Sequence, residues 1–329
     1  MRLPLALFPA ILVFLQATAV SAQPLPPVDF PPFDPAACVA KPQRLLIIDM
    51  KSGWWSGDGG DFHNALLPRI VKDCEKVEIE YYFLQYIDPA GAPALPTIPG
   101  VPQLVGAVGF VSFYPEKPGV PNDSLMVLEN FPSRPWTEYQ QVWLLSGGDH
   151  DPTDWPTGSP AFQNLLAKFT APAATPAQSV PSYFFAGGLG HRDHANHVLQ
   201  AFQLPEMFQS HVTELITPRF SDGSQIEVFS RARIGAELTT HAVFDGVGSI
   251  ADRVDIFGEE CDTDFLPVAN HPFQIVGRNR LGEPSIAVRE TDNRRWVLDG
   301  GMPRYYSVFD PTERDTYRYL QNTIKWLAK

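Results

Sequence analysis

Cysteine is scarce in this chain: there are three in 329 residues. That number permits one intrachain disulfide and leaves one thiol over. Basic residues are short as well, with 25 Lys and Arg against 37 Asp and Glu, a formal net charge of −12. Nucleic acid and anionic membrane surfaces are bound through basic faces, so this balance argues against both as partners. Long apolar runs are also missing. The best one, Leu5–Leu15, is about half of the roughly 20 residues a membrane span needs, and Pro4 and Pro9 interrupt the stretch. No internal repeat is found.

What the N-terminus does have is the pattern of an export signal. Arg2 supplies a positive charge, the apolar run follows, and Val20–Ser21–Ala22 forms a small-residue cleavage signature before Gln23. Residues 1–22 are therefore expected to be removed and the mature protein to be periplasmic or extracellular, without a membrane anchor. Residues 23–42 form a proline-rich leader (QPLPPVDFPPFDP at its start), which cannot be helical. An apolar fraction of 44% is ordinary for a globular core, and residues 43–329 are expected to form a single domain.

In an exported chain the cysteines are candidates for pairing. Cys38 precedes the first expected strand and Cys74 follows the first expected helix. A strand–helix unit returns the chain to the edge where the strand began, which favours Cys38–Cys74 with Cys261 left over. Cys38–Cys261 stays open, because spacing alone fixes no distance.

The expected elements alternate. Arg44–Met50 is a continuous apolar run, the pattern of a strand buried on both faces. A helix is expected through Phe62, Leu66, Leu67, Ile70 and Val71 with Asp61 as its N-cap. Strands are expected at Val77–Ile87, Gly106–Tyr114 and Gln141–Leu145, and a short helix at Phe162–Phe169. After a linker, Tyr183–Ala186 ends in Gly187–Gly188–Leu189–Gly190 and opens into a helix reaching about Phe202. This rhythm predicts an open, mostly parallel, doubly wound α/β sheet. Phe273–Arg278, Ser285–Arg289 and Arg295–Leu298 predict C-terminal antiparallel additions at its edge. The last helix has Asp310 at its N-cap, Pro311 at N1 and Glu313 at N3, with Tyr317, Leu320, Ile324 and Leu327 on one docking face.

Two segments, QVWLLSGG at Gln141–Gly148 and AGGLGH at Ala186–His191, resemble the class I glutamine amidotransferase-like superfamily, including its ThuA-like branch. That family carries a strand leading to a GG loop that supplies oxyanion amides, and later a strand–elbow–helix of the form G-I-C-x-G-H. The likeness covers roughly residues 44–202, with an echo in WVLDGG at Trp296–Gly301. It implies a flavodoxin-like sheet, and it implies that Gly188 stands where the family has its nucleophilic cysteine. Glycine has no side chain to attack a carbonyl, and Met302, Pro303 and Arg304 stand where the family has its His-x-Glu pair. Glutamine hydrolysis is therefore not expected, and the family's triad is absent as a whole.

Ligands of open parallel sheets bind beyond the carboxyl ends of the strands. Three loops should meet there. The first carries Trp54, Trp55, Asp58, Asp61 and His63. The second carries Gly147, Gly148, Asp149, His150, Asp151, Asp154 and Trp155. The third is the elbow, with Gly188, His191, Arg192, Asp193 and His194. Five of the eight histidines fall in or just after these loops, His197 being the fifth. Flat indole faces among Asp, His and Arg suit a small polar ligand, and the ThuA-like resemblance points to carbohydrate. Each residue also has an ordinary role open to it. Asp61, Asp149 and Asp193 fit turns or helix caps, His197 fits the polar face of a helix, Trp54 and Trp55 fit packing, and His191 and His194 fit hydrogen bonds that fix the turn.

The alternative is a metal-dependent hydrolase. His63, His150, His191 and Asp193 are the types that hold a divalent ion such as Zn²⁺ with a position open for water. GHRDHANH at Gly190–His197 resembles the late segment of LmbE-like zinc deacetylases. Asp49–Met50–Lys51–Ser52, however, stands where that family has its H-P-D-D motif. DHDPTD at Asp149–Asp154 lacks the later bidentate Glu of an EF-hand loop. No cofactor is otherwise implied. A vestigial crevice serving as a partner-binding surface is a third reading, compatible with the acidic balance and the Pro-rich loops.

Overall fold

The computed structural model describes residues 38–49, 70, 74, 76–83, 104–106, 135–146, 157, 160–170, 180–188, 192–209, 231–235, 238–256, 259–261, 266–279, 282–291, 294–301 and 314–328. Six parallel strands form the body of one sheet: β1 (Gln43–Asp49), β2 (Val77–Phe83), β3 (Leu104–Gly106), β4 (Gln141–Leu145), β5 (Ser182–Ala186) and β11 (Arg295–Asp299). β10 (Pro284–Glu290) runs against β11, and β9 (Gln274–Arg278) runs against β10. The order across the sheet is β3-β2-β1-β4-β5-β11-β10-β9. This is an open α/β sheet, mostly parallel, with antiparallel strands from the C-terminal part at one edge. A second, antiparallel sheet consists of β6 (Arg231–Ile234), β7 (Ile250–Ile256) and β8 (Glu259–Cys261), in the order β6-β7-β8.

Alternation along each strand divides the core in two, because successive side chains point to opposite faces. Leu45, Ile47, Trp143, Leu145, Phe184, Ala186 and Val297 line one face, where α3 (Arg314–Leu327) docks. Leu46, Ile48, Val142, Leu144, Tyr183, Phe185, Trp296 and Leu298 line the other, beneath α1 (Pro160–Thr170) and α2 (Asp193–Ala201). Both faces are covered, so the strands read as unbroken apolar runs. Each fully buried Leu or Ile here gains about 1.5–3 kcal/mol by leaving water.

α3 docks through Tyr317, Leu320, Ile324 and Leu327, all buried. A buried amide adds direction to this packing: the Gln141 side-chain Nε2 donates to the Ile324 carbonyl at 2.9 Å, and its Oε1 accepts from the Trp143 indole at 3.1 Å. The segment before β7 is clamped to the same helix. Asp315 accepts the Gly248 and Ser249 amides at 2.9 and 2.8 Å, and Asn322 donates to the Asp245 carbonyl at 2.8 Å.

Cys38 and Cys74 are joined by a disulfide with a Cα–Cα distance of 5.4 Å. It fastens the end of the leader beneath β1 and β2, where Val39 is buried and Lys76 donates to the Ala40 carbonyl at 3.1 Å. Cys261 lies in β8.

One expectation needs correction. β11 is not an antiparallel addition: it pairs parallel with β5, Trp296 opposite Tyr183 through Asp299 opposite Ala186, and only β10 reverses direction. Three short strands separated by turns read as a meander, and nothing in β11 itself records which neighbour it joins. The β6–β8 sheet was not anticipated at all. Of the strand expected at Gly106–Tyr114, only Gly106 lies among the described residues, as the end of β3. The Asp310–Glu313 cap and most of the helix around Asp61–Val71 lie outside them, although Ile70 is helical and buried.

Candidate functional site

The strand order fixes where a site can form. From β1 the chain moves outward through β2 and β3, then returns to place β4 on the other side of β1 and continues through β5. The order therefore reverses between β1 and β4, and the loops leaving these two strands diverge at a topological switch point. Residues Phe83, Asp49, Leu145, Ala186 and Asp299 lie in register across this carboxyl edge. Asp49 and Asp299 are three strands apart in that row, about 14 Å at ordinary strand spacing.

The elbow is built from the ends of β4, β5 and β11. The Ser146 amide donates to the Ala186 carbonyl and the Gly187 amide to the Asp299 carbonyl, both at 2.9 Å. Gly188 has φ 145°, a backbone conformation that side chains strain to adopt. Helix α2 begins five residues later, and its first-turn amides need acceptors from outside the helix. Ser146 supplies one: its buried Oγ accepts the Ala195 amide at 3.0 Å. Asp299 is fully buried at the end of β11. It accepts the Tyr319 hydroxyl on one oxygen at 2.9 Å and the Gly301 amide on the other at 2.8 Å. Ser146 and the Asp299 backbone carbonyl thus hold the described ends of the turn, while the Asp299 side chain ties the segment after β11 to α3.

Ser146 and Asp299 were both missed as site residues. The signal was present: each is a single polar residue closing a buried strand immediately before a Gly-Gly pair.

The described residues of the elbow differ in role. Arg192 occupies the N-cap of α2 without a side-chain cap bond, and Asp193 follows as the first helical residue, so Asp193 is not the cap. His194 is fully buried, with its ring 5.0 Å from Phe162, which places it in the α1–α2 contact. His197 Nδ1 lies 2.8 Å from the Asp193 carbonyl, an interaction within the helix. Asn196 accepts the Met207 and Phe208 amides and donates to the Phe208 carbonyl, fastening the following turn to α2. Trp54, Trp55, Asp58, His63, Gly147, Gly148, Asp149, His150 and His191 lie outside the described residues. Of the metal set His63, His150, His191 and Asp193, only Asp193 is described. Among the described residues there is no group of three or more His, Cys, Asp or Glu that could hold a metal ion.

At the opposite edge, burial pushes the Tyr183 phenol up and the Arg294 guanidinium down.

No protein-family model matches the chain, and no curated protein matches it. Among solved structures it is similar to a candidate GMP synthase component from Thermoplasma acidophilum. The identity is 7% and the TM-score 0.35, over 86% of this chain and 94% of that one. A likeness of this size carries no argument about ancestry or activity.

Proposed function

We propose that this protein is an exported domain of the glutamine amidotransferase-like kind, without its cysteine chemistry, that binds a small polar ligand at the carboxyl edge of the sheet. Carbohydrate is the class we favour. The observation that carries this reading is the reversal of strand order between β1 and β4. Loops leaving the two strands of such a reversal border one crevice. Here they are the loop bearing Trp54, Trp55 and Asp58 after β1 and the loop bearing Asp149 and His150 after β4, with the elbow following β5. The first loop offers apolar ring faces and the others offer hydrogen-bonding groups, the pairing that sugar rings require.

Gly188 supports the loss of nucleophilic chemistry. The resemblance puts a cysteine at this position, and glycine here suits a φ of 145°. The disulfide supports export, since such bonds persist in oxidising compartments.

The test is quenching of tryptophan fluorescence across a panel of mono- and oligosaccharides. We expect saturable quenching by at least one member, lost in the Trp54→Ala and Trp55→Ala variants. Binding that survives both substitutions would place the site elsewhere.

A further inference from the structure

A second feature lies at the opposite edge of the sheet, where β5 and β11 begin, and is independent of the crevice. Three arginines belong to the β10–β11 hairpin: Arg289, Arg294 and Arg295. Arg295 is fully engaged. It pairs with Glu290 at 2.8 Å and donates to the Trp326 carbonyl on the α3 face of the sheet. Arg289 and Arg294 are on the other face. Arg289 sits opposite Trp296 in the antiparallel register, and Arg294 is two residues before it.

The Arg294 guanidinium carbon lies 5.0 Å from the Tyr183 ring centre, 5.3 Å from Trp296 and 5.8 Å from Phe202. That of Arg289 lies 5.9 Å from Phe273, whose ring is 6.4 Å from Trp296. Both cations therefore rest on one aromatic floor. Among the described residues neither side chain has a carboxylate partner or a hydrogen-bond acceptor, and both are half-buried.

This arrangement is unusual in a chain of net charge −12. Two neighbouring guanidiniums repel one another, and burial removes part of their hydration. Burial lowers the affinity of Arg294 for its proton, Tyr183 partly offsets this, and Arg289 lowers it further. The aromatic floor recovers some of this by cation–π attraction but uses only the flat faces of the guanidiniums. Their N–H edges, which match oxyanions in forked pairs, meet no acceptor among the described residues.

We infer that Arg289 and Arg294 form a binding site for a tetrahedral dianionic oxyanion, a phosphate or sulfate group, either free or carried on a larger molecule. Two positive charges call for a dianion, and a tetrahedral group has enough oxygens to accept from both forks. Lysine would not serve equally well, since its ammonium neither stacks on the floor in this way nor presents a planar fork.

The experiment is calorimetric titration of the mature protein with inorganic phosphate, inorganic sulfate and glucose 6-phosphate at constant ionic strength. Saturable one-to-one binding of at least one of them is expected. Arg289→Gln and Arg294→Lys should each weaken it about tenfold, the loss of one charge-assisted forked contact. Equal affinity for the inorganic ions and the ester identifies a free ion as the ligand; tighter binding of the ester identifies a carried group. Arg294 packs on three rings, so Arg289→Gln, near the end of a strand, decides the matter if the Arg294 variant does not fold. The inference is overturned if none of the three anions saturates, or if folded Arg289→Gln binds them as wild type does.

Discussion

Replacing both Cys38 and Cys74 with serine is a perturbation whose size follows from the chain itself. The bridge joins residues 36 positions apart. Closing a loop of that length removes about 13 cal/mol/K of entropy from the unfolded chain, or about 4 kcal/mol at 25 °C. A chain of roughly 300 residues unfolds with about 0.6 kcal/mol/K, so the melting temperature should fall by roughly 6 °C. The native contacts around the bridge survive the substitution, including the Gln43 amide to the Lys76 carbonyl at 2.8 Å, so the loss is expected in the unfolded state. The assay pairs thermal unfolding with a thiol count under denaturing, non-reducing conditions. One reactive thiol of three is expected in the oxidised protein. Three reactive thiols, or a double-serine variant melting within about 1 °C of wild type, would refute the reasoning.

Tyr319→Phe removes the hydroxyl that reaches the buried Asp299 carboxylate and leaves the ring packing intact. It should cost about 1–3 kcal/mol, the range for leaving a buried polar group without its partner, read as a shift in urea midpoint at constant slope. Gly188→Ala places a side chain at φ 145° and should cost about 1–3 kcal/mol by the same measurement. His241 accepts the Val243 amide on Nδ1, so the cap requires neutral imidazole. Burial first, and then Arg295, push its pKa below 6.5, partly offset by Glu290. The unfolded state therefore takes up the proton first. The contribution of His241 is fully present above pH 6.5 and is lost as pH falls from there through the folded-state value. His241→Asn keeps an acceptor that does not titrate, and should flatten the decline in stability that wild type shows as pH falls below 6.5.

The parallel strands were legible because burial on both faces leaves its mark on every residue. Leu45–Ile48 and Val142–Leu145 read as apolar runs for the same reason that they lie in two cores. α3 was legible through the spacing of Tyr317, Leu320, Ile324 and Leu327. Neighbour choice was less so. β11 has the composition of an edge strand's companion, yet it pairs with β5, from which more than a hundred residues separate it. Pairing across that distance is decided by topology, and no local pattern encodes it. The elbow was visible as a Gly-rich turn after an apolar strand. What holds its ends was not, because Ser146 and Asp299 come from two remote segments. For His194 the sequence left a ligand role and a turn-fixing role open, and nothing local in it records that the ring is fully buried against Phe162.

The central claim is that the carboxyl edge at the β1–β4 switch point is where this protein meets its ligand. Hydrogen–deuterium exchange, with and without a saturating sugar from the fluorescence panel, tests that most directly. The account predicts new protection in peptides spanning residues 50–63, 146–155 and 187–194 together. Protection confined to any other surface, with those three segments unchanged, would contradict it.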